Sequence, residues 1–116
     1  MPRLKPGSDL KTAFRARVAE WAATLGITVQ GVYVRTMRTK WASCSTNGIL
    51  TFNRELLEMD SQLWDYVIVH ELLHFDVPNH GKLWKSLMRA HVGDWEACER
   101  QLKAHASHGP QHEGKE

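Results

Sequence analysis

Residues 67–80 read VIVHELLHFDVPNH, and this stretch decides how the rest of the chain is interpreted. It places His70, His74 and His80 within eleven positions, with Glu71 directly after the first of them. The apolar residues between these side chains leave almost no polar side to a helix, so we expect a largely buried helix. Ionisable groups inside a core are costly unless they have partners. The stretch therefore predicts a metal ion bound among these side chains.

The spacing explains how two of the histidines could share one ion. His70 and His74 are four residues apart, which on an α-helix is about 40° of net rotation and about 6 Å of rise. Glu71 is rotated by about 100° from His70, so it borders the metal position without having to be a ligand. This is the HExxH arrangement, with two nitrogen ligands and a carboxylate placed to accept a proton from water. The same five letters also occur by chance on solvated helices, which the apolar surroundings disfavour here.

A catalytic zinc has three protein ligands and one open position, and the sequence offers several third ligands. His80 follows the end of the predicted helix. Glu96 or Glu99, on a later helix, would complete a glutamate-type zincin instead. His108 and His112 lie in the tail and are expected to bind metal only adventitiously.

The spacing through His80 is also that of the metzincins. Those proteins carry glycine where this chain has Val77. They also have a methionine turn, whereas Met88 falls in an apolar helical stripe and is expected in the core. A true metzincin is therefore a minor alternative.

The composition indicates a small globular protein. A chain of 116 residues with 42% hydrophobic residues is long enough for one modest core. Cys44 and Cys98 lie far apart and form no CxxC pair, so we expect two free thiols and no disulfide framework. The start has no apolar signal segment, and no run approaches the ~20 apolar residues of a membrane span. We expect a soluble, cytoplasmic protein with no membrane partner.

The charge is unevenly distributed, although the formal net charge is only +2. Residues 1–40 carry a net charge of +6 and residues 41–116 a net charge of −4. Lys11, Arg15 and Arg17 on the first helix could form a face for nucleic acid, but a solvated helix is the more ordinary explanation. Nucleic acid is thus only a weakly supported partner.

Periodicity and turn signals predict an α+β fold. The predicted helices are a first one from Ser8 or Asp9 to Leu25, then 60–75, 80–91 and 94–104. The predicted strands are 27–37, 41–45 and 49–53, with a tight turn at Thr46-Asn47-Gly48. The simplest arrangement of these strands is a three-stranded antiparallel meander. In the third helix, Leu83, Trp84, Leu87 and Met88 are expected to point inward. Residues 106–116 lack apolar anchors and are expected to be disordered.

Two separated segments carry a resemblance to a known family. TKWASCSTNGILTFNREL (39–56) and YVIVHELLHFDVPNHGKLW (66–84) resemble the YgjP-like metallopeptidases, relatives of the SprT and WLM metalloproteases. The resemblance covers about residues 31–88. Ala42 replaces the usual Gly and Leu83 the usual Phe. Only about thirty residues precede the first strand, where typical members carry a β-rich region, so the chain resembles the catalytic core alone.

The resemblance implies a minimal zincin-like domain over residues 1–105. It implies one zinc ion per chain with His70, His74 and His80 as ligands, and it makes Glu71 the catalytic residue. It also implies framework positions around the cleft, which are Trp41, Ser43, Asn53 and Trp84. The residues themselves favour core packing for the two tryptophans.

These observations predict a zinc-dependent hydrolase, with a metallopeptidase acting on peptides or proteins as the first hypothesis. Glu71 would act as general base toward a zinc-activated water. One alternative keeps the same site but cleaves a phosphoanhydride bond, for example in a nucleotide. A second alternative is a nucleic-acid-associated protease module of the SprT or WLM type.

Overall fold

The protein is described by a computed structural model that covers residues 6–75, 77 and 81–105. The predictions for His80 and for the tail lie outside these residues. The described elements are helix α1 (Pro6–Leu25), strands β1 (Gly31–Arg35), β2 (Ala42–Cys44) and β3 (Ile49–Asn53), a 3-10 helix (Arg54–Glu58), and helices α2 (Ser61–Leu73), α3 (Lys82–Val92) and α4 (Trp95–His105). This order confirms the predicted α+β class. The 3-10 helix was not predicted.

The sheet is mixed, and the predicted antiparallel meander is wrong. Its strand order is β1-β3-β2, with β1 parallel to β3 and β2 antiparallel to β3. The central strand β3 buries Leu50, Phe52 and Asn53. The middle position gives this most buried strand a hydrogen-bonding partner on both sides. The chain from β1 to β2 therefore passes the end of β3 instead of forming a hairpin.

The predicted tight turn joins β2 to β3. Gly48 donates from its backbone N–H to the carbonyl of Ser45, at 3.1 Å, and has a φ of +87°. A Cβ at Gly48 would approach the Gln30 side chain to 3.0 Å. Glycine is therefore favoured here both by backbone conformation and by space.

The second helix, α2, is the centre of the molecule. All of its residues from Tyr66 to Leu73 are buried, which confirms the prediction of a largely buried helix. It contacts the other three helices, the 3-10 helix and β2. On the α1 side, Phe14 packs edge-to-face against Phe52 and Trp64, with ring centroids 4.9 and 5.2 Å away. The core thus forms between the helices and the inner face of the sheet.

The third helix differs from its prediction at one position. Trp84 and Met88 are buried and Leu87 is half-buried, as expected, but Leu83 is 60% exposed. Leu83 lies one residue before Trp84, so it is rotated by about 100° from that buried side chain. Among the described helices, none has the length and apolar character needed to span a bilayer.

Candidate metal centre

The last turns of α2 carry the candidate site. His70 and Glu71 are only 2% and 6% exposed, while His74 is half-buried at the C-terminal end of the helix. Burial of two titratable side chains in an apolar helix is costly without compensating partners. The helix therefore carries two buried polar side chains, His70 and Glu71, close to the partly solvent-accessible His74.

The donor atoms of these three residues converge. One ligand-type atom from each of His70, Glu71 and His74 lies within 4.8 Å of the other two. The Nδ1 atom of His70 is 3.3 Å from Oε2 of Glu71. Two imidazoles and a carboxylate form the donor set that zinc and similar divalent ions accept. Within the described part of the chain, this is the one group of three or more potential metal ligands that lie this close together, and it includes the predicted ligands His70 and His74.

Aromatic rings surround His70. Its ring centroid is 5.7 Å from Tyr66 one turn earlier and 5.0 Å from His74 one turn later. Trp84, on α3, is 5.1 Å away at an interplanar angle of 83°. Trp84 in turn lies 5.3 Å from Trp95 of α4. The imidazole is therefore packed among rings from its own helix and from α3.

Strand β2 approaches the site from the sheet. Burial raises the pKa of the Cys44 thiol to about 11, and the nearby negative charge of Glu71 contributes to the shift. Strand β2 also contacts α2, the helix that carries Glu71. The edge strand β2 therefore contacts the helix that carries the candidate metal position, although the sequence showed Cys44 only as an isolated thiol.

The alternative glutamate ligands are engaged elsewhere. Glu96 accepts a hydrogen bond from Arg89 at 2.8 Å, and Glu99 lies 3.9 Å from Lys103 on the same helix. Neither belongs to the cluster around His70. His80, the ligand implied by the resemblance, lies outside the described residues.

The other predicted positions have mainly structural contacts. Trp41 is 1% exposed and belongs to the core, while Ser43 is half-buried on β2. Asn53 is buried, and its amide donates to the carbonyls of Met37 and Lys40 at 3.0 and 2.9 Å. Its side-chain oxygen accepts from the backbone N–H of Glu55 at 3.1 Å, so Asn53 caps the 3-10 helix that follows β3.

The predicted basic face of α1 is not fully available for a partner. Arg17 donates to both carboxylate oxygens of Asp65, at 2.7 and 2.9 Å. This contact joins α1 to α2, so Arg17 has a structural role. Only Lys11 and Arg15 of the predicted set remain, and no further observation on α1 favours nucleic acid.

Two solved metallopeptidase structures are similar to this chain. Jannalysin from Methanocaldococcus jannaschii, solved as a metallopeptidase zymogen, is 29% identical with a TM-score of 0.67, over 78% of this chain and 92% of that chain. Abylysin from Pyrococcus abyssi, also a metallopeptidase zymogen, is 15% identical with a TM-score of 0.69, over 84% of this chain and 99% of that chain. At 15% identity the likeness to abylysin shows the fold alone.

No protein of curated function matches the sequence significantly. The model of the YgjP-like metallopeptidase domain matches residues 7–105, which include the whole sheet and all the helices described above except the first residue of α1. This match covers both segments that carry the resemblance and the convergent donor atoms on α2. The chain therefore belongs to the YgjP-like metallopeptidase family.

Proposed function

We propose that the protein is a zinc-dependent peptidase in which His70, His74 and His80 bind one zinc ion and Glu71 is the general base. The observation that carries this proposal is the buried convergence of donor atoms from His70, Glu71 and His74 within 4.8 Å. Such a cluster has no evident structural purpose without a cation, because apolar side chains would pack there at lower cost. Membership of a metallopeptidase family supports the same reaction class.

Each residue has a distinct part in the proposed reaction. A zinc ion at this site supplies Lewis-acid polarisation of the scissile carbonyl and lowers the pKa of water. Glu71 accepts a proton from the attacking water and then passes it to the leaving amine, so the C–N bond breaks without release of an amide anion. Its 6% exposure favours this role, because few water molecules compete for the carboxylate.

The third ligand in this proposal is His80. Glu96 is paired with Arg89 and Glu99 lies near Lys103, so a glutamate ligand would require these contacts to be given up. A catalytic zinc site uses three protein ligands and leaves one position open. His70, His74 and His80 provide three nitrogen donors and leave Glu71 available for proton transfer.

The edge of β2 is the proposed binding surface for an extended peptide. Trp41 accepts from Asn53 at 2.8 Å and Ser45 donates to Ile49 at 2.9 Å, so the backbones of 41, 43 and 45 face β3. The alternation of an antiparallel ladder then directs the backbone groups of Ala42 and Cys44 toward the open edge. A substrate strand would pair with these two residues beside Glu71. N-methylation removes the hydrogen-bond donor of one substrate amide. When the methyl group is moved along the substrate one residue at a time, cleavage should therefore be reduced at every second position.

The decisive test of the proposal is Glu71→Gln. The change keeps the size of the side chain but removes its basic oxygen, so folding and zinc content should remain close to wild type. Peptide hydrolysis should fall by about a hundredfold or more. Glu58→Gln, which alters an exposed carboxylate, is the matched control and should leave the rate unchanged.

The assay should include unfolded proteins and nucleoside triphosphates, each with and without a chelator. Chelator-sensitive cleavage of the polypeptides that depends on Glu71 supports the peptidase. Phosphate release from the nucleotides without peptide cleavage would contradict the peptidase function and favour hydrolysis of a phosphoanhydride bond. Full peptide hydrolysis by the Glu71→Gln variant would refute the proposed mechanism.

A further inference from the structure

The indole of Trp84 makes an edge-to-face contact with the imidazole of His70. Their ring centroids are 5.1 Å apart and the rings are inclined by 83°. Both side chains are 2% exposed. Aromatic pairs prefer this perpendicular geometry, because the positive edge of one ring meets the negative face of the other. The contact is therefore specific in orientation as well as in distance.

The contact of Trp84 differs from the other ring contacts of His70. Tyr66 and His74 are neighbours of His70 on the same helix, one turn away on either side. Rings on the same helix move with His70, so they cannot hold the imidazole relative to α3. Of the three described ring contacts of His70, the contact with Trp84 is the one that comes from a different helix. It connects a proposed ligand to the element that follows His80.

Trp84 also packs against a second tryptophan, on α4. Trp95 of α4 is 7% exposed and makes an edge-to-face contact with Trp84 at 5.3 Å and 78°. A close-packed ring backed in this way has little freedom to rotate. The row His70–Trp84–Trp95 thus extends from the candidate metal centre through α3 to α4. Each ring in the row restricts the one before it.

We propose that Trp84 is a positioning residue, which holds the His70 imidazole in the orientation that metal binding requires. This inference rests on the proposed metal site and adds a residue that the donor cluster does not contain. A helix fixes the Cα and Cβ atoms of His70, but the side-chain torsions still decide where the nitrogen atoms point. Groups that orient a ligand typically change metal affinity by about 10–100-fold when they are removed.

The test compares Trp84→Phe with Trp84→Leu. Phenylalanine keeps an aromatic ring against His70, whereas leucine keeps apolar volume without a ring. Cobalt(II) binding measured by visible absorption reports both affinity and ligand geometry. We expect the leucine variant to lose about 10–100-fold in cobalt affinity with an altered absorption band. The phenylalanine variant should stay within about threefold of wild type and keep the band.

A control separates positioning from general loss of packing. Trp64→Leu also replaces a buried tryptophan, but Trp64 packs against Phe14 and donates from Nε1 to the carbonyl of Leu56 at 2.5 Å. Thermal unfolding of the metal-free variants should show losses of stability for both leucine variants. Only Trp84→Leu should change the cobalt spectrum. Equal cobalt affinity in Trp84→Leu and wild type would overturn the inference, as would an equal loss in Trp64→Leu.

Failure of the metal site itself would be distinguishable. His70→Ala should abolish tight cobalt binding if the site is as proposed. Wild-type protein that binds no cobalt, or a His70→Ala variant that binds it normally, would refute the metal site before Trp84 is considered. Normal binding by wild type, loss in His70→Ala and no effect of Trp84→Leu would refute the positioning role alone.

Discussion

Arg17 donates two hydrogen bonds to the carboxylate of Asp65, from Nε to Oδ1 at 2.7 Å and from one terminal nitrogen to Oδ2 at 2.9 Å. Trp21 donates a third, from Nε1 to Oδ1, at 2.8 Å. These bonds hold the first helix against α2, five residues before His70. Hydrogen bonding to Asp65 also raises the pKa of the Arg17 guanidinium. Helix α2, which carries the candidate metal centre, is therefore held against α1 partly by this polar contact.

Asp65→Ala should lower the free energy of unfolding by about 1–3 kcal/mol, because three N–H donors of Arg17 and Trp21 lose a charged acceptor. Urea denaturation of the two proteins measures this difference. The control is Arg89→Ala, which breaks the more exposed pair with Glu96 and should cost less than about 1 kcal/mol. Equal losses in the two variants would show that the Asp65 contacts add nothing beyond an ordinary surface ion pair.

Asn53→Ala should be more damaging. The Asn53 side chain is buried, donates to Met37 and Lys40, and accepts from Glu55, so its loss leaves three backbone groups without that partner. We expect a loss of about 2–4 kcal/mol in the free energy of unfolding. Asn47→Ala, in the exposed turn, should cost less than about 1 kcal/mol. Calorimetry measures the melting temperatures of both variants. Similar values would show that the bonds from Asn53 to Met37 and Lys40 do not stabilise the segment between β1 and β2.

The Cys44 thiol should be unreactive in the folded, metal-free protein. Its pKa is raised from the ordinary value of 9.0 to about 11, first by burial and then by the charge of Glu71. The rate of alkylation of Cys44, measured against pH in a Cys98→Ser background, should therefore rise with an inflection near pH 11 in the folded protein. In the urea-unfolded chain the inflection should lie near the ordinary value of 9.0. Glu71→Gln should move the inflection downward, though only part of the way.

The same shift makes stability fall at alkaline pH. At pH values well below 9.0 the thiol is protonated in both states, so Cys44 contributes no pH dependence there. Between 9.0 and about 11 the unfolded chain loses its proton first, which favours unfolding. Wild type should lose stability across this window more steeply than Cys44→Ala. Parallel profiles for the two proteins would contradict the raised pKa.

Metal content distinguishes the proposed third ligand. His80→Ala should lower the zinc content well below one equivalent per chain, because the remaining two imidazoles bind zinc weakly. Glu96→Ala should leave it unchanged, since that carboxylate pairs with Arg89. Elemental analysis after dialysis measures both. The reverse result would identify a glutamate-type site.

Metal removal should also destabilise the fold, because bound zinc stabilises only the folded state. Addition of a chelator should lower the melting temperature of wild type. The His70→Ala variant is the control, and its melting temperature should not respond to the chelator. An unchanged melting temperature in wild type would mean that zinc binding and folding are not coupled.

Local patterns in the sequence predicted much of the site. Helical spacing brings His70 and His74 to one side with Glu71 beside them, since four residues make slightly more than one turn. The buried character of α2 and the turn at Gly48 were also readable from neighbouring residues. These features depend on interactions over a few positions, where the geometry of a helix or a turn leaves few alternatives.

Only the tertiary structure decided which elements meet. Apolar periodicity tells which face of a strand is buried but not which strand lies beside it, so the parallel pairing of β1 with β3 was missed. The same holds for Arg17 and Asp65, which are 48 residues apart, and for Trp84 against His70. The sequence by itself determined the chemical groups on α2, because they belong to one helix. Their surroundings come from the other three helices, the 3-10 helix and β2, whose packing depends on the whole core.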